Sequence, residues 1–150
     1  DVERILARPD LRRLEALYEV PYLARQTLEP QVCTVRVSAD RCEVWAPLQA
    51  PDVARQLAAR VTGLPEERVR VQLTLGGGGF GRRFEQDSLQ QALQVARAVP
   101  GRMVKLLWTR EQDTQHDFYR PAHVARYRAA LDRAGRVLAI HGGPGPRSRT

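Results

Sequence analysis

The segment from Gly76 to Arg83 contains the residue types best suited to chemistry in this sequence, because four glycines are followed by Phe-Gly-Arg-Arg. It lies between an alternating stretch that predicts a strand and an amphipathic stretch that predicts a helix. Glycine permits positive φ and close approach of another group, and successive amides can form an anion-binding concavity. The helix start adds a positive dipole end, and Arg82 and Arg83 suit phosphate or oxyanion contacts. These features favour a negatively charged, phosphate-bearing ligand.

The residues alone leave a second interpretation of this segment open, a flexible linker between strand and helix. It lacks the Lys-Ser/Thr ending of a nucleotide P-loop and the spaced glycines of a dinucleotide fingerprint. Glu85 and Asp87 follow it, but acidic residues at a helix start are explained by the helix dipole. The three histidines have no metal-ligand spacing, so we predict no protein-bound metal; they are His116, His123 and His141.

The clearest local pattern is a β-hairpin that contains both cysteines. Residues 32–37 and 42–46 alternate between apolar and polar types, and residues 38–41 supply turn chemistry. Cys33 and Cys42 then share one apolar face without facing each other, so we predict small buried hydrophobes rather than a disulfide or a ligand pair. The predicted cross-strand pairs are Val37 with Cys42, Val35 with Val44, and Cys33 with Ala46.

The whole chain predicts an α+β fold in which the elements follow one another as β-β-α-β-α-β, with a further hairpin at the C-terminal end. Two helices on one face of a mixed sheet would bury both apolar stripes in a two-layer domain. We see no internal domain boundary and divide the chain into a lead-in (1–17), a domain (18–141) and a flexible tail (142–150). The helices are predicted from Pro51 to Gly63 and around Leu89 to Ala96, the further strands over 69–73, 103–108, 123–131 and 137–140, an extended edge segment over 17–23, and a polar loop over 109–121.

Composition limits the classes of protein further. The 150 residues include 24 Lys and Arg against 17 Asp and Glu, a formal net charge of +7. Such a charge permits attraction to phosphate-bearing partners, but the arginines are scattered and form no dense block. No apolar run approaches the roughly 20 residues of a membrane span, and no leader-type segment opens the sequence. We therefore expect a globular domain with a solvated, arginine-rich surface, and a basic nucleic-acid-binding module is the alternative.

A resemblance to a known family favours the ligand-binding interpretation of the glycine segment. Residues 77–84 (GGGFGRRF) resemble the GGGFGRR signature of the molybdopterin-binding subunits of the aldehyde oxidase and xanthine dehydrogenase superfamily, most closely the β subunits of isoquinoline 1-oxidoreductase and its relatives. Other stretches agree in the same order, and together they span Tyr18 to Ile140. These stretches are YEVPYLA with LEP (18–24 and 28–30), VWAPLQ (44–49), LPEERV (64–69) and HDFYRP (116–121).

The resemblance implies roles for particular residues. The segment from Gly79 to Arg82 would present backbone amides and shape to the molybdopterin dithiolene and the molybdenum ligands. Gln49 matches a glutamine that approaches an oxo ligand, to which an amide can donate without adding charge. The metal is held by pterin sulfurs and the general-base glutamate lies outside these residues, so no catalytic residue or metal ligand is expected here. The implied cofactor-binding residues are Gln49, Gly77, Gly78, Gly79, Phe80, Gly81, Arg82 and Arg83.

Several positions depart from the family pattern. Arg25 stands where relatives often have His, Leu48 replaces a usual Thr beside the glutamine, and Gly76 replaces a larger residue. Phe84 stands where xanthine-type members have a substrate-binding Glu, so purine substrates are not expected. Glu29 is expected to order the local backbone and not to act as a base.

The implied protein is a bacterial molybdenum hydroxylase that oxidises aldehydes or N-heterocycles, of which this chain would be one cofactor-binding piece. We expect molybdopterin in its cytosine dinucleotide form, whose phosphates suit nearby arginines. The expected partners are the rest of the large subunit and an iron–sulfur subunit. By itself the piece is expected to bind no cofactor and to be inactive. Compartment, bacterial cytoplasm or periplasm, stays open, and a protein-interaction domain is a further alternative.

Overall fold

A computed structural model describes residues 1–144 of the chain. Two compact units are formed, one by Ala24–Tyr119 and the other by Asp1–Leu23 together with residues 120–144. The helices are α1 (Val2–Leu6), α2 (Pro51–Thr62), α3 (Asp87–Ala98) and α4 (Arg110–Gln115), and the strands are β1 (Arg12–Val20), β2 (Val32–Val37), β3 (Cys42–Ala46), β4 (Val69–Leu73), β5 (Met103–Leu107), β6 (His123–Leu131) and β7 (Val137–Pro144).

The unit Ala24–Tyr119 has the predicted two-layer α+β architecture. Its sheet has the strand order β4-β3-β2-β5. The β3–β4 pair is parallel, and the β2–β3 and β2–β5 pairs are antiparallel. Helix α2 packs on β3 and β4, and α3 packs on β2, β5 and α2. Buried residues of both helices and of the two central strands form one apolar core, which confirms the mixed sheet with two helices on one face.

The predicted hairpin is confirmed in its register. Val35 pairs with Val44 and Val37 with Cys42, and inward-facing residues of β2 alternate strictly with outward-facing ones. Cys33 and Cys42 are buried free thiols, as predicted. Burial raises the pKa of Cys33 to about 12 and that of Cys42 to about 11. Both side chains therefore serve as small apolar residues of the core.

Both predicted helices form, and local chemistry explains their limits. Pro51 occupies the first turn of α2, and Gly63 ends it in the left-handed conformation with its N–H bonded to the Ala59 carbonyl. That conformation is accessible to glycine without the penalty of a Cβ. Helix α3 buries the predicted apolar stripe, which consists of Leu89, Ala92, Leu93 and Ala96.

The predicted polar loop over 109–121 is wrong in its first half, because it contains helix α4. This helix is too short and too polar to show apolar periodicity, which is the main sequence signal for helices. Its start is held by a capping box, in which the Thr109 hydroxyl accepts from the Gln112 amide and the Gln112 side chain accepts from the Thr109 amide. Arg110 donates to the carbonyls of Thr27 and Leu28 and so ties α4 to residues 24–30.

The second unit is a three-stranded antiparallel sheet in the order β1-β6-β7. The β6–β7 hairpin confirms the predicted one. Two expectations change: β1 begins at Arg12, inside the predicted lead-in, and β7 continues to Pro144, past the predicted tail start at Gly142. The sequence shows no boundary between the two units because the second unit is built from two separate stretches of the chain. Its strand β1 pairs with β6, more than a hundred residues later. The rest of the predicted tail, 145–150, lies outside the described residues.

Among residues 1–144, no helix has the length and apolar character needed to cross a membrane.

Candidate functional site

The glycine turn, residues 76–81, connects β4 to a single 3-10 turn at Arg82–Phe84 and then to α3. It is held against residues 24–30 by two hydrogen bonds. The Gly77 amide donates to Glu29 Oε2 over 3.1 Å, and the Gly77 carbonyl accepts from the Glu29 amide over 3.3 Å. A Cβ placed on Gly76 would lie 2.5 Å from Pro47 Cβ, and one on Gly77 would lie 2.7 Å from Glu29 Cβ. The turn is therefore packed and bonded, unlike a flexible linker.

Gln49 and the glycine turn are brought together by direct contact. Gln49 Oε1 accepts from the Gly81 backbone amide over 2.9 Å, and the Gln49 backbone amide donates to the Arg83 carbonyl over 3.1 Å. A Cβ on Gly79 would lie 2.6 Å from Gln49 Oε1, so glycine is required there for the side chain to fit. Since Oε1 accepts from an N–H, the amide orientation is fixed and Nε2 points away as a donor. Gln49 is exposed, and no acceptor among the described residues takes that donor.

The centre of the turn has an unusual backbone. Gly78 and Gly81 have φ of 95° and 89°, and Phe80 has a φ of 53°, a region that residues other than glycine rarely adopt. The Phe80 ring lies over Gly78, where a Cβ would be 2.7 Å from Phe80 Cε2. The amides of Gly78 and Gly79 donate to no acceptor in residues 1–144. Non-glycine residues in this region concentrate at ligand and active sites.

Arg82 is the largest fully buried side chain of the described residues. Its guanidinium makes two parallel hydrogen bonds to Asp87, of 3.0 and 2.9 Å. Its Nε lies 3.6 Å from Asp113 Oδ1 and 3.5 Å from Asp117 Oδ1. The rings of Trp108 and Phe118 lie against its guanidinium carbon, which is 5.3 and 5.6 Å from their centroids. Burial raises the pKa of Asp113, although Arg82 and Arg110 oppose that effect.

Arg83 is buried as well and has internal partners. Its Nη2 lies 2.7 Å from Glu29 Oε2 and 3.0 Å from the Glu29 carbonyl, and its Nε donates to the Gly78 carbonyl. Burial lowers the pKa of Arg83, and Glu29 opposes that effect. The guanidinium groups of Arg82 and Arg83 thus hold the turn in place. The expectation that they offer charge to an external phosphate stays a prediction; in this structure Arg82 donates to Asp87, and Arg83 donates to Glu29 and to the Gly78 carbonyl.

Sequence reasoning missed the groups that surround Arg82 and the role of a neighbour. Asp113 and Asp117 lie in the stretch predicted as a loop, and only their fold brings them to Arg82. Asp117 Oδ2 accepts from the backbone amides of Arg25 and Gln26. The Arg25 side chain lies against the turn, with Nε 3.2 Å from the position of a Cβ on Gly81. In the sequence, the one sign that Arg25 could belong to the site was its departure from the family pattern.

The three histidines are not part of the glycine turn. The His116 ring contacts Trp108, whereas His123 is exposed on β6 and His141 lies beside Glu3 in the second unit. No group of three His, Cys, Asp or Glu residues in the described part of the chain is arranged to hold a metal ion. Glu29 orders the glycine turn, as expected, and Leu48 packs against the core. Phe84 is about half exposed beside the turn.

Comparison with known proteins identifies the family of this chain. The sequence matches the molybdopterin cofactor-binding domain over residues 1–143. It is 34% identical to the isoquinoline 1-oxidoreductase β subunit of Brevundimonas diminuta over 93% of this chain and 18% of that protein. It is 30% identical to the molybdenum-binding subunit of an aldehyde oxidoreductase of Escherichia coli K12 over 85% of this chain and 18% of that protein.

A solved structure shows the same fold. The aldehyde oxidoreductase of Desulfovibrio gigas superposes with a TM-score of 0.70 at 23% identity, covering 95% of this chain and 16% of that chain. The chain thus spans less than a fifth of the length of the relatives it matches. On the strength of the match over residues 1–143, the chain belongs to the molybdopterin cofactor-binding domain family.

Proposed function

We propose that this chain is the part of a bacterial molybdenum hydroxylase that places the glycine turn and Gln49 against the molybdenum cofactor. The whole enzyme would oxidise aldehydes or N-heterocycles. Two relatives support that substrate class by name, the isoquinoline 1-oxidoreductase β subunit and the molybdenum-binding subunit of an aldehyde oxidoreductase. The further parts of the site and the general base would come from segments outside these 150 residues.

The residues present fit such a cofactor. Gly78 and Gly79 have amides without an acceptor in the described residues, and Gln49 Nε2 adds a third donor. Hydrogen-bond donors that need no reorganisation suit a group that carries negative charge on oxygen and sulfur. Because Gly79 has no Cβ, the Gln49 side-chain amide can lie directly against the Gly79 backbone. The single observation that carries the proposal is the hydrogen bond from the Gly81 amide to Gln49 Oε1.

In the mechanism, each group of this chain has a positioning role. The cofactor, when bound, supplies the two-electron redox chemistry. Gly81 fixes the Gln49 amide so that its NH₂ group faces outward, where it can donate to an oxygen of the cofactor without adding charge. Arg82 and Arg83 hold the turn rigid from behind through carboxylates. Phe80, about three-fifths exposed, provides an apolar wall that would limit access of water.

The proposed partners are the remainder of the large subunit and an iron–sulfur subunit that removes electrons. We propose the cytosine dinucleotide form of molybdopterin, by resemblance to bacterial members. The nucleic-acid alternative loses support, because many arginines are paired with carboxylates within the described residues. These include Arg8, Arg36, Arg82, Arg83, Arg110, Arg126, Arg128 and Arg136.

The test uses the complete protein that contains this chain, purified from a host that makes the cofactor. Molybdenum per protein is measured by mass spectrometry and pterin by fluorescence after oxidation. Gln49→Glu keeps an oxygen for the Gly81 amide but replaces the outward donor with a second oxygen. We expect it to lower the rate constant of aldehyde oxidation by about a hundredfold, as loss of a preorganised donor does. Gln94→Glu, on an exposed position of α3, is the matched control. A wild-type protein without molybdenum or pterin would refute the proposal.

A further inference from the structure

Arg25 is a cation beside the glycine turn that the proposed function does not yet use. Its backbone is fixed, because its amide donates to Asp117 and the next residue, Gln26, donates to the same carboxylate oxygen. Its side chain reaches Gly81, where Nε is 3.2 Å and Cζ 3.5 Å from the position of a Cβ. The guanidinium therefore lies at the residue whose amide binds Gln49.

Two of the three nitrogens of this guanidinium lack partners among the described residues. Nε and Nη1 of Arg25 are buried and have no hydrogen-bond partner. A buried donor without an acceptor loses its interaction with water and gains nothing in return. Such atoms are rare in proteins and call for an explanation such as a missing ligand or ordered water. A guanidinium is always charged, so an anion would stabilise it most.

The neighbouring carboxylates do not supply that anion. Asp117 uses Oδ2 for two backbone amides, and its Oδ1 lies 3.5 Å from Arg82 Nε. Glu29 is paired with Arg83, and Asp87 with Arg82. Asp117, Glu29 and Asp87 each already have a cation or a backbone amide as a partner, whereas Nε and Nη1 of Arg25 have no hydrogen-bond partner among the described residues. The two arginines of the glycine segment already have carboxylate partners, since Arg82 donates two hydrogen bonds to Asp87 and Arg83 donates to Glu29.

We propose that Arg25, and not Arg82 or Arg83, provides the positive charge that binds an anionic oxygen group of the cofactor at the glycine turn. The proposal rests on the proposed function. Arginine can donate two parallel hydrogen bonds to an oxyanion, and charge-assisted bonds of this kind are stronger than neutral ones. The amides of Gly78 and Gly79 and the Gln49 NH₂ group would complete the donor set. Because a guanidinium stays charged at all ordinary pH values, the charge at this site would not depend on pH.

The test measures cofactor retention, not activity. The complete protein is prepared as wild type, Arg25→Met, Arg25→Lys and Arg55→Met. Arg55 is an exposed arginine of α2 that forms no ion pair among the described residues. Each is dialysed at 50 and at 500 mM KCl, and molybdenum and pterin per protein are followed over time. We expect Arg25→Met to lose cofactor about tenfold faster at low salt, as loss of one charge-assisted contact predicts. Arg25→Lys should lie between the two, and Arg55→Met should match the wild type.

The outcomes separate the two proposals. If the wild type holds no molybdenum, the proposed function fails. If the wild type holds it and a folded Arg25→Met releases it at the wild-type rate, only the role of Arg25 is refuted. Arg25→Gln, which keeps hydrogen-bond donors without charge, replaces Arg25→Met if that variant does not fold. A wild-type release rate for Arg25→Gln likewise refutes the role, because the charge would then have no effect.

Discussion

Arg82 is the largest fully buried side chain in the described part of the chain. It is a permanent charge with almost no exposed surface, and it lies between three carboxylates and two aromatic rings. A buried ion cluster of this kind is costly to form from hydrated groups, but it is far more costly to break by removing one member. Its role is therefore structural, to fix where the glycine turn ends and α3 begins.

The first prediction concerns this buried cation. Arg82→Met keeps most of the side-chain volume but leaves Asp87, Asp113 and Asp117 without their common partner. We expect the free energy of unfolding to fall by about 3–5 kcal/mol, measured by urea denaturation with circular dichroism. Arg97→Met, on the exposed face of α3, should change it by less than about 0.5 kcal/mol. Equal effects of the two substitutions would show that the cluster does not stabilise the fold.

The second prediction concerns pH and Asp113. Burial raises the pKa of this carboxyl, so the folded state favours its protonated form. The stability that this preference contributes is complete below the ordinary Asp pKa and is lost as pH rises through the raised one. The unfolding free energy of the wild type minus that of Asp113→Asn should therefore decrease with rising pH across this window.

Asp132 provides a control of opposite sign for that measurement. Hydrogen bonds from the amide and side chain of Arg136 lower the pKa of Asp132. Its contribution is present above the ordinary Asp pKa and is lost as pH falls through the lowered one. The difference between wild type and Asp132→Asn should therefore rise with pH. Parallel trends for the two variants would contradict the assignment of Asp113 as a carboxyl whose charge is disfavoured.

Single residues also show how far the sequence could predict this site. The glycine turn follows from residue type and Gln49 from the family resemblance, and the structure brings the two into contact. The partners of Arg82 do not follow, because Asp113 and Asp117 lie about thirty residues downstream and only the packing of α4 brings them in. Arg25 was visible as an unusual residue, but its unpaired nitrogens depend on the fold around it.

At the scale of elements, the glycine turn is hydrogen-bonded to the segment that precedes β2. Gly77 makes hydrogen bonds in both directions with Glu29, and Arg83 adds an ion pair to the same carboxylate.

The third prediction concerns Gly77, where there is no space for a larger side chain. In Gly77→Ala the Cβ would lie 2.7 Å from Glu29 Cβ and 3.0 Å from its backbone nitrogen, so the backbone itself must shift.

We expect Gly77→Ala to lower the unfolding free energy by about 1–3 kcal/mol, the usual cost of overpacking. Thermal and urea denaturation of the variant would measure it. Gly143→Ala is the matched control, because a Cβ there meets no atom within 4 Å and the backbone is not in the left-handed region. It should leave stability unchanged or slightly increased. A neutral Gly77→Ala would mean that the turn is not held tightly against Glu29.

Elements with strong periodicity were predictable and those without it were not. The β2–β3 hairpin, α2 and α3 each bury one face in a common core, so their patterns identify them. Helix α4 has no apolar stripe and is stable through its capping box and Arg110. Strand β1 was missed up to Leu17 because nearly all its residues are exposed, and pairing with β6 along its full length determines it.

At the scale of the whole molecule, the three-stranded sheet leaves one apolar face open. The strand register places Leu14, Ala129 and Ile140 in one row, and Tyr18 and Tyr127 follow on the same side. Leu14, Ile140 and both tyrosines are exposed by 44–62%. Contiguous apolar patches on a soluble protein usually mark an interaction surface. Because the chain spans only 18% of its relatives, this face fits the proposal that it docks to the remainder of a large subunit.

The last prediction tests that face on the 150-residue chain alone. Without a partner the open face should associate with itself, so we expect dimers or larger species at about 100 μM by sedimentation velocity, since apolar burial drives such association. The double substitution Leu14→Glu with Ile140→Lys places charges in one row of the face and should yield a monomer. Val95→Glu, at an exposed apolar position of α3, should leave association unchanged. A monomeric wild type that does not bind an apolar dye would contradict the docking role, because such a face would then be stable in water by itself.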